Sequence, residues 1–209
     1  MCRENEIAVI DFDGTLINRD LGSDFGTWLK NSGHVERLFH LVTLPIGAAN
    51  YLLRASCELP LGNRLLAQFD STTLNSLFDE FLNEEPFTYV VNEALLEYVN
   101  SIDGSSIVLT GSPEILVNKF LTRLRVTTFE TVIGQREGKF RWFFNPTPFG
   151  RAKSRFVNAP IGLAIADSYS DRFLLTLART PIVIKGDSRL EALATKMEWQ
   201  QWDFNVVNN

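Results

Sequence analysis

Only two cysteines, Cys2 and Cys57, occur in the 209 residues, and two thiols cannot build a disulfide framework. Cys2 stands at the start of the chain, where a bridge would have little to hold, so a reducing compartment fits. Basic residues are not in excess: 20 Lys and Arg stand against 25 Asp and Glu, a formal net charge of −5. A chain with that balance has no broad basic face for nucleic acid. The opening Met1-Cys2-Arg3-Glu4-Asn5-Glu6 lacks the apolar stretch of a secretory leader, so a cytoplasmic location is expected. Internal repeats, low-complexity tracts and long linkers are absent as well.

What is present is an ordinary globular composition, 45% hydrophobic and 22% charged, long enough for one packed domain with a modest insertion. One charge-free run, 38–53, lies between Arg37 and Arg54 and carries Leu38, Phe39, Leu41, Val42, Leu44, Ile46, Tyr51, Leu52 and Leu53. It is shorter than the roughly 20 residues a membrane-spanning helix needs, and His40, Pro45, Gly47 and Asn50 interrupt it. Two readings follow: a packed helical hairpin, or peripheral contact with a membrane surface or an apolar substrate.

The pattern along the chain alternates strand and helix. Ile7-Ala8-Val9-Ile10 is a short β-branched run of the kind found in buried parallel strands. From Leu16 to about Tyr98 the spacing is mostly helical. Ser71-Thr72-Thr73 can cap a helix whose apolar face is Leu74, Leu77, Phe78, Phe81 and Leu82, and Asn92 to Val99 reads as another. Strands are then expected at Ile107-Val108-Leu109, Thr131-Val132-Ile133, Ile161 to Ala166 and Pro181-Ile182-Val183-Ile184. Pro113 is placed in the first turn of a helix running through Leu116, Val117, Phe120 and Leu124. A hairpin arm at Lys139 to Phe144 and short helices at Lys153–Val157, Arg172–Ala178 and Ser188–Lys196 complete the reading. This is an α/β protein: a Rossmann-like parallel sheet with right-handed crossovers and a helical insertion after its first strand.

Ligands of open parallel sheets bind beyond the carboxyl ends of the strands. Three such ends carry polar residues here: Asp11 with Asp13, Thr110 with Ser112, and Asp167 with Asp171. Lys153 enters from the loop before the fourth strand. Carboxylates crowded within about 4–6 Å repel one another and a phosphate dianion still more, unless a cation is present. Hard oxygen ligands with a phosphate partner select Mg²⁺. A carboxylate beside such an ion can attack phosphorus to give an aspartyl-phosphate. A second carboxylate two residues on can protonate the leaving alkoxide and later deprotonate water. Lys153, the Thr110 hydroxyl and backbone N–H groups suit the equatorial oxygens.

These residues resemble the four motifs of the haloacid dehalogenase-like superfamily of phosphohydrolases. Asp11-Phe12-Asp13-Gly14-Thr15-Leu16 looks like the first, Thr110-Gly111-Ser112 the second, Lys153 the third and Asp167-Ser168-Tyr169-Ser170-Asp171 the fourth, in the expected order. The resemblance implies Asp11 as nucleophile and Asp13 as general acid and base. It implies Gly14, Thr15, Thr110, Gly111 and Lys153 around the phosphate. Mg²⁺ would be held by Asp11, Asp13 through its backbone carbonyl, and Asp167, with Asp171 supporting the metal or the lysine. Ala166 and the short stretch from Lys153 to Asp167 depart from the usual pattern.

The insertion stands where this superfamily places its helical C1 cap. The layout is similar to the phosphoserine phosphatase-like branch, with residues 1–16 and 99–209 as catalytic core and 17–98 as cap. Asp20 would then face the substrate or cap a helix. A small phosphorylated metabolite is the expected substrate. The apolar run also gives a loose similarity to the phosphatidylglycerophosphatase C type, which makes a lipid phosphate the alternative. A non-catalytic binding module on the same fold is the third reading.

Overall fold

The computed structural model describes residues 5–34, 69–84, 87–136 and 148–206. Six parallel strands form one sheet: β1 (Ile7–Ile10), β2 (Ser105–Pro113), β3 (Thr131–Gln135), β4 (Ile161–Ala166), β5 (Thr180–Ile184) and β6 (Gln200–Trp202), in spatial order β3-β2-β1-β4-β5-β6. The first strand is therefore central, flanked by β2 and β4. From β2 the sheet grows one way and from β4 the other, so a crevice opens at the carboxyl end of β1.

Both faces of the sheet are covered, which is why the strands read as nearly continuous apolar runs. Along β1 the side chains alternate: Ala8 and Ile10 join one buried cluster, Val9 the other. The helices are α1 (Leu21–Asn31), α2 (Ser71–Glu84), α3 (Glu93–Asn100), α4 (Glu114–Arg123), α5 (Arg172–Leu177) and α6 (Ser188–Lys196), with 3₁₀ turns at Gly150–Phe156 and Tyr169–Asp171. Phe25 of α1 packs on Phe78 and Phe81 of α2, with ring centroids 4.7 and 5.3 Å apart. Those rings share a cluster with Ile10 and Phe12. Each fully buried aromatic contributes roughly 1.5–3 kcal/mol, so the two inserted helices are anchored on the sheet's own core.

The chain leaves and re-enters the sheet layer through paired backbones. Asn18 donates its N–H to the Val90 carbonyl at 3.0 Å, and Asn92 donates to the Leu16 carbonyl at 2.8 Å. The excursion from 18 to 90 thus begins and ends at one seam.

Several boundaries differ from expectation. Pro113 is not in a helical first turn; it ends β2 and is the N-cap of α4. The helix stops at Arg123 with Leu124 as its C-cap. Lys153 lies in a 3₁₀ turn beginning at Gly150, and α5 ends at Leu177. The sixth strand was not expected: it is three residues long and opens with two glutamines, but Trp202 is buried against Tyr98, centroids 4.8 Å apart. The helix cap at Ser71–Thr73 is supplied instead by Asp70, which accepts the Thr73 N–H at 2.8 Å. Cys2, Cys57, the apolar run 38–53 and the hairpin arm 139–144 lie outside the described residues. Among those described, no helix is long and apolar enough to cross a membrane.

Candidate active site

At the end of β1 the chain turns sharply, and Asp11 and Asp13 project to different neighbours. Asp11 is buried, and its Oδ1 accepts from Lys153 Nζ at 2.7 Å and from the Phe12 N–H at 2.9 Å. Lys153 Nζ also lies 2.7 Å from Asp171 Oδ1. Lys153 is 3% exposed and Asp171 1%, so one ammonium bridges two carboxylates in a dry setting. Burial works against the charge on Lys153, but the Asp11 and Asp171 carboxylates outweigh it and hold its pKa above the usual lysine value.

The other carboxylate sits in a neutral cage. Asp13 Oδ1 accepts the Leu21 N–H at 2.8 Å, and Oδ2 accepts the hydroxyls of Thr110 at 2.9 Å and Ser112 at 2.7 Å. Residues i and i+2 of a strand face the same way, which is why both hydroxyls of β2 reach one oxygen. Ser112 Oγ in turn accepts the Gly22 N–H at 3.1 Å, seating the first turn of α1 on the end of β2. A Cβ at Gly22 would lie 2.7 Å from that hydroxyl, so this approach requires glycine. Burial, and then the negative charge of Asp20, push the Asp13 pKa up to about 7, against the hydrogen bonds from Ser112, Leu21 and Thr110.

Asp167 follows β4 and completes the group. Its Oδ1 accepts the Thr15 hydroxyl at 3.0 Å. Gly14 has φ +74°, and a Cβ there would stand 2.1 Å from Asp167 Oδ2. Glycine is needed twice over, for the left-handed backbone and for the space the carboxylate fills. Burial, first, and then the charge of Asp171 push the Asp167 pKa up to about 6. At Asp11 burial, followed by Asp171 and Asp167, holds the pKa well above the ordinary carboxylate range despite Lys153. Three carboxylates, Asp11, Asp167 and Asp171, therefore share the field of one ammonium, and this side of the site is short of positive charge.

The structure gives several expected phosphate-binding residues other work. Thr15 is fully buried and its hydroxyl is spent on Asp167. Thr110, also fully buried, holds Asp13 and accepts the Ser112 N–H at 3.0 Å. Gly111 presents its open side to Phe149 and Pro148, with atoms 3.6 and 3.9 Å from a built Cβ. Asp20 caps α1 through the Ser23 N–H at 2.7 Å, and Asp171 is paired with the lysine. Ser112 stands out in the sequence only as a polar strand-end residue and Gly22 not at all, because what gives both their role is the seating of α1 on β2.

The donor chemistry suits a hard divalent cation. The hydrogen bonds that Asp11 accepts from Lys153 and Phe12, and that Asp167 accepts from Thr15, all fall on Oδ1. No three of the described His, Cys, Asp or Glu side chains form a ligand set by themselves. Mg²⁺ is usually held by one or two carboxylates with substrate and water oxygens making up the rest, and Asp11 and Asp167 are the carboxylates that would serve.

The sequence signature of haloacid dehalogenase-like hydrolases matches residues 8–176. The chain belongs to that family. The haloacid dehalogenase-like fold is equally clear in solved structures. A protein with unknown function from Bordetella pertussis Tohama I is 16% identical, with a TM-score of 0.73 covering 96% of this chain and 100% of that one. A family hydrolase from Salmonella enterica serovar Typhi is 14% identical, with a TM-score of 0.53 over 97% of this chain and 68% of that one. A phosphoserine phosphohydrolase-like protein from Francisella tularensis is 15% identical, with a TM-score of 0.50 over 90% and 92%. At such identities the likeness is one of fold. No curated protein matches the chain in sequence.

Proposed function

We propose that this haloacid dehalogenase-like protein is a Mg²⁺-dependent phosphatase of small phosphate monoesters, working through an aspartyl-phosphate on Asp11. The observation that carries the reading is the division of the site around β1: an ion-paired carboxylate, Asp11, and a hydrogen-bonded one, Asp13, two residues apart at one sheet edge. Environments that separate two carboxylates in this way assign them different roles.

Asp11 Oδ2 attacks phosphorus while Lys153 keeps Oδ1 oriented. As the P–O bond to the leaving group breaks, protonated Asp13 gives its proton to the departing alkoxide. In the second half Asp13, now a carboxylate, takes a proton from water. The hydroxide oxygen bonds to phosphorus, the P–O bond to Asp11 breaks, and inorganic phosphate leaves. A pKa of about 7 allows Asp13 both forms near neutrality. Asp11, the Asp13 carbonyl and Asp167 would hold the metal, with Thr15 and Gly14 fixing Asp167. When bound, Mg²⁺ supplies the positive charge that the carboxylates lack and that the phosphate oxygens need. Asp171 serves Lys153 in this scheme. Residues 17–98 form the cap region in this scheme, with the part of leaving-group selection; its described helix α1 is seated directly on Ser112.

A lipid phosphate draws no support from the described residues, since the apolar run lies outside them. The test is hydrolysis of p-nitrophenyl phosphate with Mg²⁺ across pH 5–8, by the native chain and by Asp11→Asn. Turnover by the native chain and a loss of about 10⁴-fold or more in the variant are expected. No turnover by the native protein would return the non-catalytic binding module, and a fully active Asp11→Asn would remove the nucleophile.

A further inference from the structure

Asn92 is 2% exposed, yet the chemistry just described makes no use of it. It stands where the chain returns from the insertion, and all its polar groups are engaged. The backbone N–H donates to the Leu16 carbonyl at 2.8 Å, and the backbone carbonyl accepts the Leu96 N–H at 3.1 Å. The side-chain Oδ1 accepts the Leu95 N–H at 3.0 Å and so caps α3. The side-chain Nδ2 donates to the Thr15 carbonyl at 3.3 Å. One residue therefore grips two consecutive carbonyls, those of Thr15 and Leu16.

A helix cap accounts for only part of this. Capping needs an acceptor, and Ser or Asp supplies one as well as Asn does. What asparagine adds is a donor on the other branch of its amide, and that donor goes to the loop after β1. The peptide between Thr15 and Leu16 is thereby held at both ends. Its C=O is on Asn92, and its N–H donates to the Phe12 carbonyl at 2.9 Å. A planar unit pinned at both ends cannot rotate, so the buried Thr15 hydroxyl keeps its aim on Asp167 Oδ1, 3.0 Å away.

From this geometry we infer that Asn92 is a positioning residue for the metal site: its amide fixes the Thr15–Leu16 peptide, Thr15 fixes Asp167, and the affinity for Mg²⁺ depends on both. This rests on the phosphatase reading, which makes Asp167 a metal ligand. The point where the chain re-enters from the insertion then belongs to the metal site. A role in α3 alone is the poorer fit, because a cap leaves the contact of Nδ2 with Thr15 without a purpose.

The experiment titrates the full chain with Mn²⁺, reads the free ion by electron paramagnetic resonance, and uses Mg²⁺ as competitor. Asn92→Ser keeps an acceptor for Leu95, but its hydroxyl stands one atom nearer the backbone and falls short of the Thr15 carbonyl. It should bind Mn²⁺ about three- to tenfold more weakly than the native protein, less than the roughly 10–100-fold usual when a direct partner of a metal ligand is lost. Thr15→Val removes that direct partner and should reach the larger range. In the Thr15→Val background Asn92→Ser should have little further effect, since its route to Asp167 is already cut. Asn92→Thr, also a capping residue, should match Asn92→Ser and covers the case in which one of them folds poorly. Val99→Ala opens a cavity at a buried position of α3 about two turns beyond Asn92. It should lower the unfolding temperature and leave the Mn²⁺ affinity native. Native affinity in both Asn92 variants, an undiminished effect in the Thr15→Val background, or an equal loss in Val99→Ala overturns the inference while leaving the phosphatase intact. No Mn²⁺ binding by the native protein removes the metal-dependent reading, and this inference with it.

Discussion

Asp11 and Asp13 are the same residue type, two positions apart, yet they live in opposite electrostatic worlds. Asp11 faces the β4 side of the sheet and is held by charge, through Lys153 and behind it Asp171. Asp13 faces the β2 side and is held by neutral donors, the Thr110 and Ser112 hydroxyls and the Leu21 N–H. Both are desolvated, and burial is the largest influence on each. The difference lies in what compensates it. A fixed ammonium favours the charged form of Asp11 that a nucleophile needs, working against the burial that raises its pKa. Hydroxyl donors can also rotate to accept, so their cage tolerates a group that gains and loses a proton.

Replacing the proton-carrying half should have the largest effect on turnover short of removing the nucleophile. Asp13→Asn keeps the shape and can keep the Leu21 contact, because its amide oxygen still accepts. The hydroxyls of Thr110 and Ser112 can turn to accept from the amide. The fold should be retained while kcat falls by about 10²–10⁴-fold, the usual contribution of a general acid and base. Thermal unfolding and single-turnover phosphate release measured together check this. An active Asp13→Asn would leave the two carboxylates without distinct roles.

Breaking the charged half should instead register in stability. Lys153→Met removes the ammonium that lies between Asp11 and Asp171 and leaves both carboxylates buried. Loss of one partner from a buried ion pair costs about 3–5 kcal/mol. Urea denaturation should report a loss of that size, larger than for Asp13→Asn. If the two variants lose equal stability, the ionic and neutral halves do not differ as argued.

How much of this contrast could be read from the chain alone follows from the range of each interaction. The strand ends bearing Asp11, Thr110 and Asp167 are legible, since β-branched runs broken by Asp, Thr and Gly report a buried parallel strand and its loop locally. The partnership of Ser112 with Asp13 spans 99 residues and depends on where α1 settles, so no local signal carries it. Thr15 looks like a phosphate ligand by its place beside Gly14; only the fold shows its hydroxyl committed to Asp167. Asp171 had two open roles, and the position of Lys153 in a 3₁₀ turn assigns the lysine. Polar β6 gives almost no strand signal, and its place is set by Trp202 meeting Tyr98.

A gentler change tunes the neutral half without destroying it. The Ser112 hydrogen bond lowers the Asp13 pKa, acting against burial. Ser112→Ala deletes that donor, so the Asp13 pKa should rise and the corresponding limb of the kcat/KM–pH profile should move to higher pH. Removing a neutral donor of this kind costs about 1 kcal/mol, which converts to somewhat under one pH unit. A limb that stays in place would assign it to another group.

The smallest effect tests how the charged half is propped from behind. Asp187 accepts the Tyr169 N–H through Oδ2 at 2.9 Å and the Arg189 N–H through Oδ1 at 2.9 Å, tying the loop that carries Asp171 to the start of α6. Burial would raise its pKa, but the Tyr169, Arg189 and Leu190 N–H groups hold it below the ordinary aspartate value. A depressed folded-state pKa means that the unfolded chain takes up the proton first. The stabilisation is then complete above the unfolded pKa, near 4, and fades as pH falls through the folded value. Asp187→Ala should cost about 1 kcal/mol at pH 7, as for a helix N-cap, and the difference from the native protein should close below pH 4. If the gap persists undiminished in acid, the carboxylate charge is not what holds the loop, and the support behind Asp171 must come from packing instead.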